Sequence, residues 1–72
     1  MNIDTMKEKF LKGELEQGIF SSKDNEGNEV VVGVGKDGFQ LSTYQSNGWV
    51  RVNIYTYDKE NNEWINEETY EK

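Results

Sequence analysis

Turn signals containing glycine recur along most of this chain, and they constrain the fold more than any other feature. Asp37-Gly38 and Asn47-Gly48 each supply a glycine where a hairpin favours positive φ. Asp24-Asn25-Glu26-Gly27-Asn28 is a further polar turn, and Asp58 to Glu63 is a longer polar loop. Between these signals the apolar residues alternate with a period of two, which predicts strands at about 17–23, 29–36, 39–46, 49–57 and 64–70. Upstream the spacing is helical. Thr5-Met6-Lys7-Glu8 fits a capping box and Gly13 is a natural stop, so a helix is predicted over about residues 5–12. Met6 and Phe10 share one side of it, and Leu11 widens the stripe. The fold class is therefore α+β: a short N-terminal helix followed by a four- to five-stranded antiparallel β-meander, with residues 1–72 forming a single domain.

Turn lengths set a register, and the register sorts the side chains. If Asn47-Gly48 is a two-residue loop, Ser46 pairs with Trp49, and Phe39, Leu41 and Thr43 share a face with Val50, Val52, Ile54 and Thr56. If Asp37-Gly38 is also a two-residue loop, Val30, Val32 and Val34 join them. This predicts an aliphatic core face, with the helix laid over it through Met6 and Phe10. The opposite face collects Tyr44, Trp49, Arg51, Asn53, Tyr55 and Tyr57. Pairing Tyr57 with Trp64 adds Trp64, Asn66, Glu68 and Tyr70. Gly33, Gly35, Gln40 and Ser42 leave a shallow strip on this second face, and Tyr44 is expected opposite Arg51, where a cation–π contact can form.

Seventy-two residues lie near the lower limit for burying a useful core, so either the sheet packs well or a second copy contributes. The chain has no Cys and no His, which removes disulfides, thiolate metal sites, the commonest zinc ligand and the commonest general base. Ser21, Ser22, Ser42 and Ser46 have no histidine to activate them, and the carboxylates lie mostly in turns or towards the C-terminus. No catalytic residue, cofactor site or metal site is expected, and the chain is not expected to be an enzyme. Gly33-Val34-Gly35-Lys36-Asp37-Gly38 spells a dinucleotide fingerprint, but a strand and a turn surround it where the pyrophosphate needs a helix N-terminus. The segment starting at Asp58 begins like a calcium loop, yet Glu63 stands where glycine is required and Thr69 where the bidentate glutamate belongs.

The formal charge is −6, from 14 acidic against 8 basic residues. Such a surface repels nucleic-acid backbones and anionic membranes and attracts a basic protein. Residues 58–72 could imitate DNA with their carboxylates, but alternation sends Glu67 and Glu71 to one face and Glu68 to the other. No apolar run approaches the roughly 20 residues of a membrane span. The first ten residues lack the pattern of a signal peptide, so a cytoplasmic location is expected.

Asn and Lys are frequent, Arg51 is the single arginine, and Ala and Pro are absent. In size, acidity and this bias the chain resembles small acidic proteins of phages and prophages of low-GC Gram-positive bacteria. The resemblance is one of composition and carries over no functional residue. It implies a non-enzymatic interaction protein that inhibits a host nucleic-acid-handling or defence protein. Tyr44, Trp49, Arg51, Tyr55, Tyr57 and Trp64 are the candidate contacts, because Tyr, Trp and Arg are enriched at binding hot spots. The aromatic face also has other readings: cross-strand stabilisation of the sheet, the interface of a homo-oligomer, or stacking on a nucleotide or other small ligand.

Overall fold

A computed structural model describes residues 2–72. Helix α1 spans Ile3–Leu11 and begins before the predicted residue 5, because its N-cap is Asn2 rather than Thr5. The Thr5 N–H donates to Asn2 Oδ1 at 3.1 Å, which satisfies one of the exposed donors of the first turn. The earlier start brings Ile3 into line with Met6 and Phe10, and all three pack on the sheet. At the other end Gly13 takes φ +73°, its N–H donates to the Phe10 carbonyl, and the Glu14 N–H donates to the Lys9 carbonyl. These are the two bonds of a Schellman close, a conformation that glycine adopts without strain.

Strands β1 (Gly18–Lys23), β2 (Glu29–Val34), β3 (Gly38–Tyr44), β4 (Val50–Asp58) and β5 (Glu63–Glu71) form one antiparallel sheet in the order β1-β2-β3-β4-β5. This is the predicted helix-plus-meander architecture, with strand ends shifted by a residue or two. Each strand is hydrogen-bonded to its neighbour in sequence.

The turns decide what each face carries. Between β2 and β3 the Gly35 N–H donates to the Gly38 carbonyl at 2.9 Å, so the two-residue loop is Lys36-Asp37 and not Asp37-Gly38. Val34 then pairs with Phe39 and Val32 with Leu41. The displacement is even, so every side chain of β2 and β3 keeps its expected face.

The β3–β4 turn differs from expectation by an odd step. The Gly48 N–H donates to the Gln45 carbonyl, the Gln45 N–H donates to the Trp49 carbonyl, and Gly48 has φ +89°. The loop is therefore Ser46-Asn47-Gly48, a three-residue connection closed by a bulge glycine. The β1–β2 turn is built the same way around Gly27, and there the Asp24 carboxylate also accepts from the Glu26 and Asn28 N–H groups.

A one-residue slip sends every side chain of a strand to the other side of the sheet. Phe39 faces Tyr55 rather than Thr56, Leu41 faces Asn53 rather than Ile54, and Thr43 faces Arg51 rather than Val52. The β4–β5 register, with Tyr57 opposite Trp64, is as expected. The expected division into an aliphatic face and an aromatic face is thereby corrected. The valines of β2 and the Phe39, Leu41 and Thr43 side chains of β3 share one face with Arg51, Asn53, Tyr55, Tyr57, Trp64, Asn66, Glu68 and Tyr70. Val50, Val52, Ile54 and Thr56 lie on the other.

Helix α1 covers the first of these faces. Val30, Val32, Val34, Phe39 and Leu41 are buried there, with Ile3, Met6, Phe10, Leu15, Tyr55 and Trp64 packed against them. The aromatic side chains explain why the odd turn suits this chain. Phe39 stacks on Tyr55 at 5.1 Å between centroids and meets Trp64 edge-on at 5.5 Å, and Phe10 of the helix also meets Trp64 at 5.5 Å. Large rings dominate the burial available to a small core, and the three-residue loop is what turns Tyr55 and Trp64 towards the helix.

Candidate functional site

The six predicted contact residues do not form one surface. Tyr55 and Trp64 are half-buried under the helix, where the Lys7 ammonium lies 5.3 Å from the Tyr55 ring centre and 5.9 Å from that of Trp64. Burial pushes the Tyr55 phenol above its ordinary pKa. Tyr57 flanks this cluster, edge-on to Trp64 at 5.3 Å, and its hydroxyl donates to Asn62 Oδ1. Trp49 stands apart at the β3–β4 turn, with the Lys72 ammonium 5.3 Å from its ring centre. Tyr44 is on the opposite face, across from Val50 and Glu29, so the expected pairing of Tyr44 with Arg51 does not form.

Arg51 belongs to the helix side but lies beyond the aromatic cluster. There the face is polar, and Asp24, Thr43, Arg51, Asn53, Asn66 and Glu68 surround a hollow of about 320 Å³ next to Ile3. The Arg51 Nε is enclosed and has no hydrogen-bond partner among the described residues. Beside it the Tyr70 hydroxyl donates to Glu68 Oε1 at 2.6 Å, which holds the phenol above its ordinary pKa.

The remaining surface is the far side of the sheet, which no element of the described chain covers. Its register places Ile19 and Ser21 of β1, Val31 and Gly33 of β2, and Gln40, Ser42 and Tyr44 of β3 beside the aliphatic row of β4 and Ile65 of β5. Ile19 is 82% exposed, Tyr44 49% and Ile65 45%, whereas Val52 is buried between its neighbours Ser42 and Thr69. Of the expected shallow strip, Gly33, Gln40 and Ser42 lie side by side on this face, whereas Gly35 lies in the β2–β3 turn. Around Gly33 the strip continues into a wide, shallow hollow of about 510 Å³ whose lining includes Ile19, Gly33, Gln40, Ile54 and Thr56.

Charge on this face is unevenly spread. Asp58, Glu63, Glu67 and Glu71 border it along β4 and β5, and Lys23 at the other margin lies opposite Glu29. This surface is hidden at the level of sequence because a two-residue Asn47-Gly48 loop puts Val52 and Ile54 on the helix-covered face; Val52 is buried as expected, but on the open side. The signal that could have found it was the row of partners that these residues gain once the loop is counted as three.

Two motifs with a chemical look have structural explanations. The glycines of the fingerprint-like segment lie in β2 and in the β2–β3 turn, with no helix following. In the 58–63 loop the Asp58 carboxylate accepts from the Glu60 N–H and from the Asn61 backbone and side-chain N–H groups, so it organises the turn. These bonds, the Asn61 side chain first, hold the Asp58 pKa below the ordinary carboxylate value. Among the described residues no three acidic side chains gather to hold a metal ion, and no helix is long and apolar enough to cross a membrane. Comparison with known proteins finds no matching family model, no matching curated protein and no matching solved structure.

Proposed function

We propose that the chain is a non-enzymatic protein-interaction module that meets its partner with the open face of its sheet. The observation that carries this proposal is a five-stranded sheet with one side uncovered, on which Ile19, Tyr44 and Ile65 are exposed around an aliphatic row. Large apolar side chains exposed on one uncovered face, bordered by polar groups, mark interaction sites in small domains. The net charge of −6 favours a basic protein as partner and disfavours nucleic acid. The most specific form of the proposal, a phage-encoded inhibitor of a host nucleic-acid-handling or defence protein, rests on the resemblance in size, acidity and residue bias to small phage proteins.

The test is capture from a host lysate with the intact chain and with variants of each face. Ile65→Glu places a charge on the open face and is expected to release whatever the wild-type chain retains, with an unchanged circular dichroism spectrum. Arg51→Ala, on the helix side, is expected to retain it. If the two variants behave in the opposite way, or if both retain the partner, the open face is not the binding surface.

One observation favours a second function, the binding of a nucleotide or another small polar ligand. The hollow at Arg51 holds an enclosed guanidinium donor that lacks an acceptor, with Asn53, Asn66 and Glu68 beside it. A ligand bound there stabilises the fold by mass action. A thermal-shift panel of nucleotides and small anions is therefore expected to raise the melting temperature of the wild type and not that of Arg51→Ala; no shift across the panel removes this second function.

A further inference from the structure

Most of the glycines in this chain answer a backbone need. Gly13, Gly27 and Gly48 have φ between +73° and +89°, and Gly38 is pressed against the carbonyl of Tyr55. Gly33 answers none. It lies inside β2 with an ordinary strand φ, and a Cβ built on it meets nothing within 4 Å. Glycine weakens a strand interior, and where neither φ nor packing requires it, its use is to leave room for something that approaches closely. The room it leaves here is the hollow between Ile19 and Ile54.

We infer that this hollow receives an apolar side chain of a partner protein that carries a Lys or Arg about 10–15 Å away, at the β5 border of the same face. The inference rests on the protein-interaction function proposed above and names the chemistry of the partner. The surface of the hollow is mostly apolar, with Ile19 and Ile54 on either side of Gly33 and only Gln40 and Thr56 as polar side chains, so the inserted group is apolar. Glu67 lies directly beyond Ile54, with Glu63 and Asp58 further along, so the adjoining group is cationic. A second copy of this chain does not fit that pattern. Among the strand residues of this face a second copy offers the single cation Lys23, which itself stands beside Glu29, against the four carboxylates of the other border.

Random peptides displayed on a library and selected on the immobilised full-length chain test this directly. Enriched peptides are expected to combine an apolar anchor with Lys or Arg at the stated separation. The Cβ that Gly33→Ile adds meets nothing within 4 Å, its branches project into the hollow, and the variant is expected to weaken their binding at least tenfold while melting no lower than the wild type. Glu67→Lys is expected to weaken it several-fold and to flatten its salt dependence, and Lys9→Ala, on the exposed side of helix α1, to leave it unchanged.

Several results overturn the inference: no enrichment, enriched peptides without basic residues, or undiminished binding to Gly33→Ile. A concentration-dependent dimer that Gly33→Ile dissolves also overturns it, since the hollow then belongs to a second copy. If Ile65→Glu abolishes partner binding and Gly33→Ile does not, the protein-interaction function stands and this inference alone fails.

Discussion

Tyr55 and Ile54 are adjacent in sequence, yet the sheet gives them different tasks. Tyr55 points to the helix side, stacked on Phe39 and roofed by Lys7, and helps close a core that a 72-residue chain can barely fill. Ile54 points the other way, beside Gln40 and Glu67, onto a surface with nothing above it. The covered face has one nine-residue helix and spends it over the rings, leaving Arg51 and its polar neighbours at the margin. The open face has no cover at all. Substitutions on the first face should therefore act on stability, and those on the second on binding.

Phe39→Ala is the severest way to probe this contrast. It removes the ring on which Phe10, Tyr55 and Trp64 converge and is expected to cost about 3–5 kcal/mol. That is a large share of the stability of so short a chain. Urea unfolding monitored by tryptophan fluorescence measures the loss. A cost below about 1 kcal/mol would mean that the aromatic cluster is not the core.

Gly38→Ala is expected to follow, at roughly 3 kcal/mol, because the added methyl collides with the Tyr55 carbonyl and forces β3 from β4. Unchanged unfolding of that variant would show that the two strands do not approach so closely. Gly33→Ala should have the opposite sign. It is expected to raise stability by about 0.5–1 kcal/mol, seen as a melting temperature several degrees higher. A lower melting temperature would show that the space above Gly33 is already filled in the free protein.

Acid is expected to have the smallest effect. Asp24 and Asp58 have pKa values below the ordinary 3.8, held down first by the side chains of Asn28 and Asn61. Their contribution is fully present above the ordinary value and is lost as pH falls through the lowered ones. Amide resonances of the Asp24–Asn28 and Asp58–Asn61 turns are expected to shift first on acidification, while those of Val30 to Val34 stay in place. Simultaneous movement of both sets would tie these carboxylates to the core.

The sequence made the architecture legible because its signals are local. Hairpin glycines, alternating residues and Gly13 each report on their own neighbourhood, and together they predict the helix and the five strands. The faces of β2 and β3 were also legible, because an error of two residues in their turn leaves the period of two undisturbed. What was not legible was the length of the Asn47-Gly48 loop. Asn-Gly fits a two-residue turn and equally the last two places of a three-residue turn. The choice depends on whether Tyr55 and Trp64 or Val52 and Ile54 go beneath the helix. Packing between distant parts of the chain settles that, and no neighbouring residue records it. The helix start was missed for a smaller reason: Asn2 and Thr5 are both good caps, and only the burial of Ile3 separates them.

The meander has a consequence for the order in which the molecule forms. Loop closure is cheap when each strand pairs with the one just made, so a growing chain can build its sheet progressively as it leaves the ribosome. Helix α1 is synthesised before the sheet, but it is too short to persist by itself. One of the rings that hold it, Trp64, belongs to the last strand. A helix made before the sheet is thus expected to be secured only after it, and a nascent chain halted before β5 would carry four paired strands under an unfastened helix.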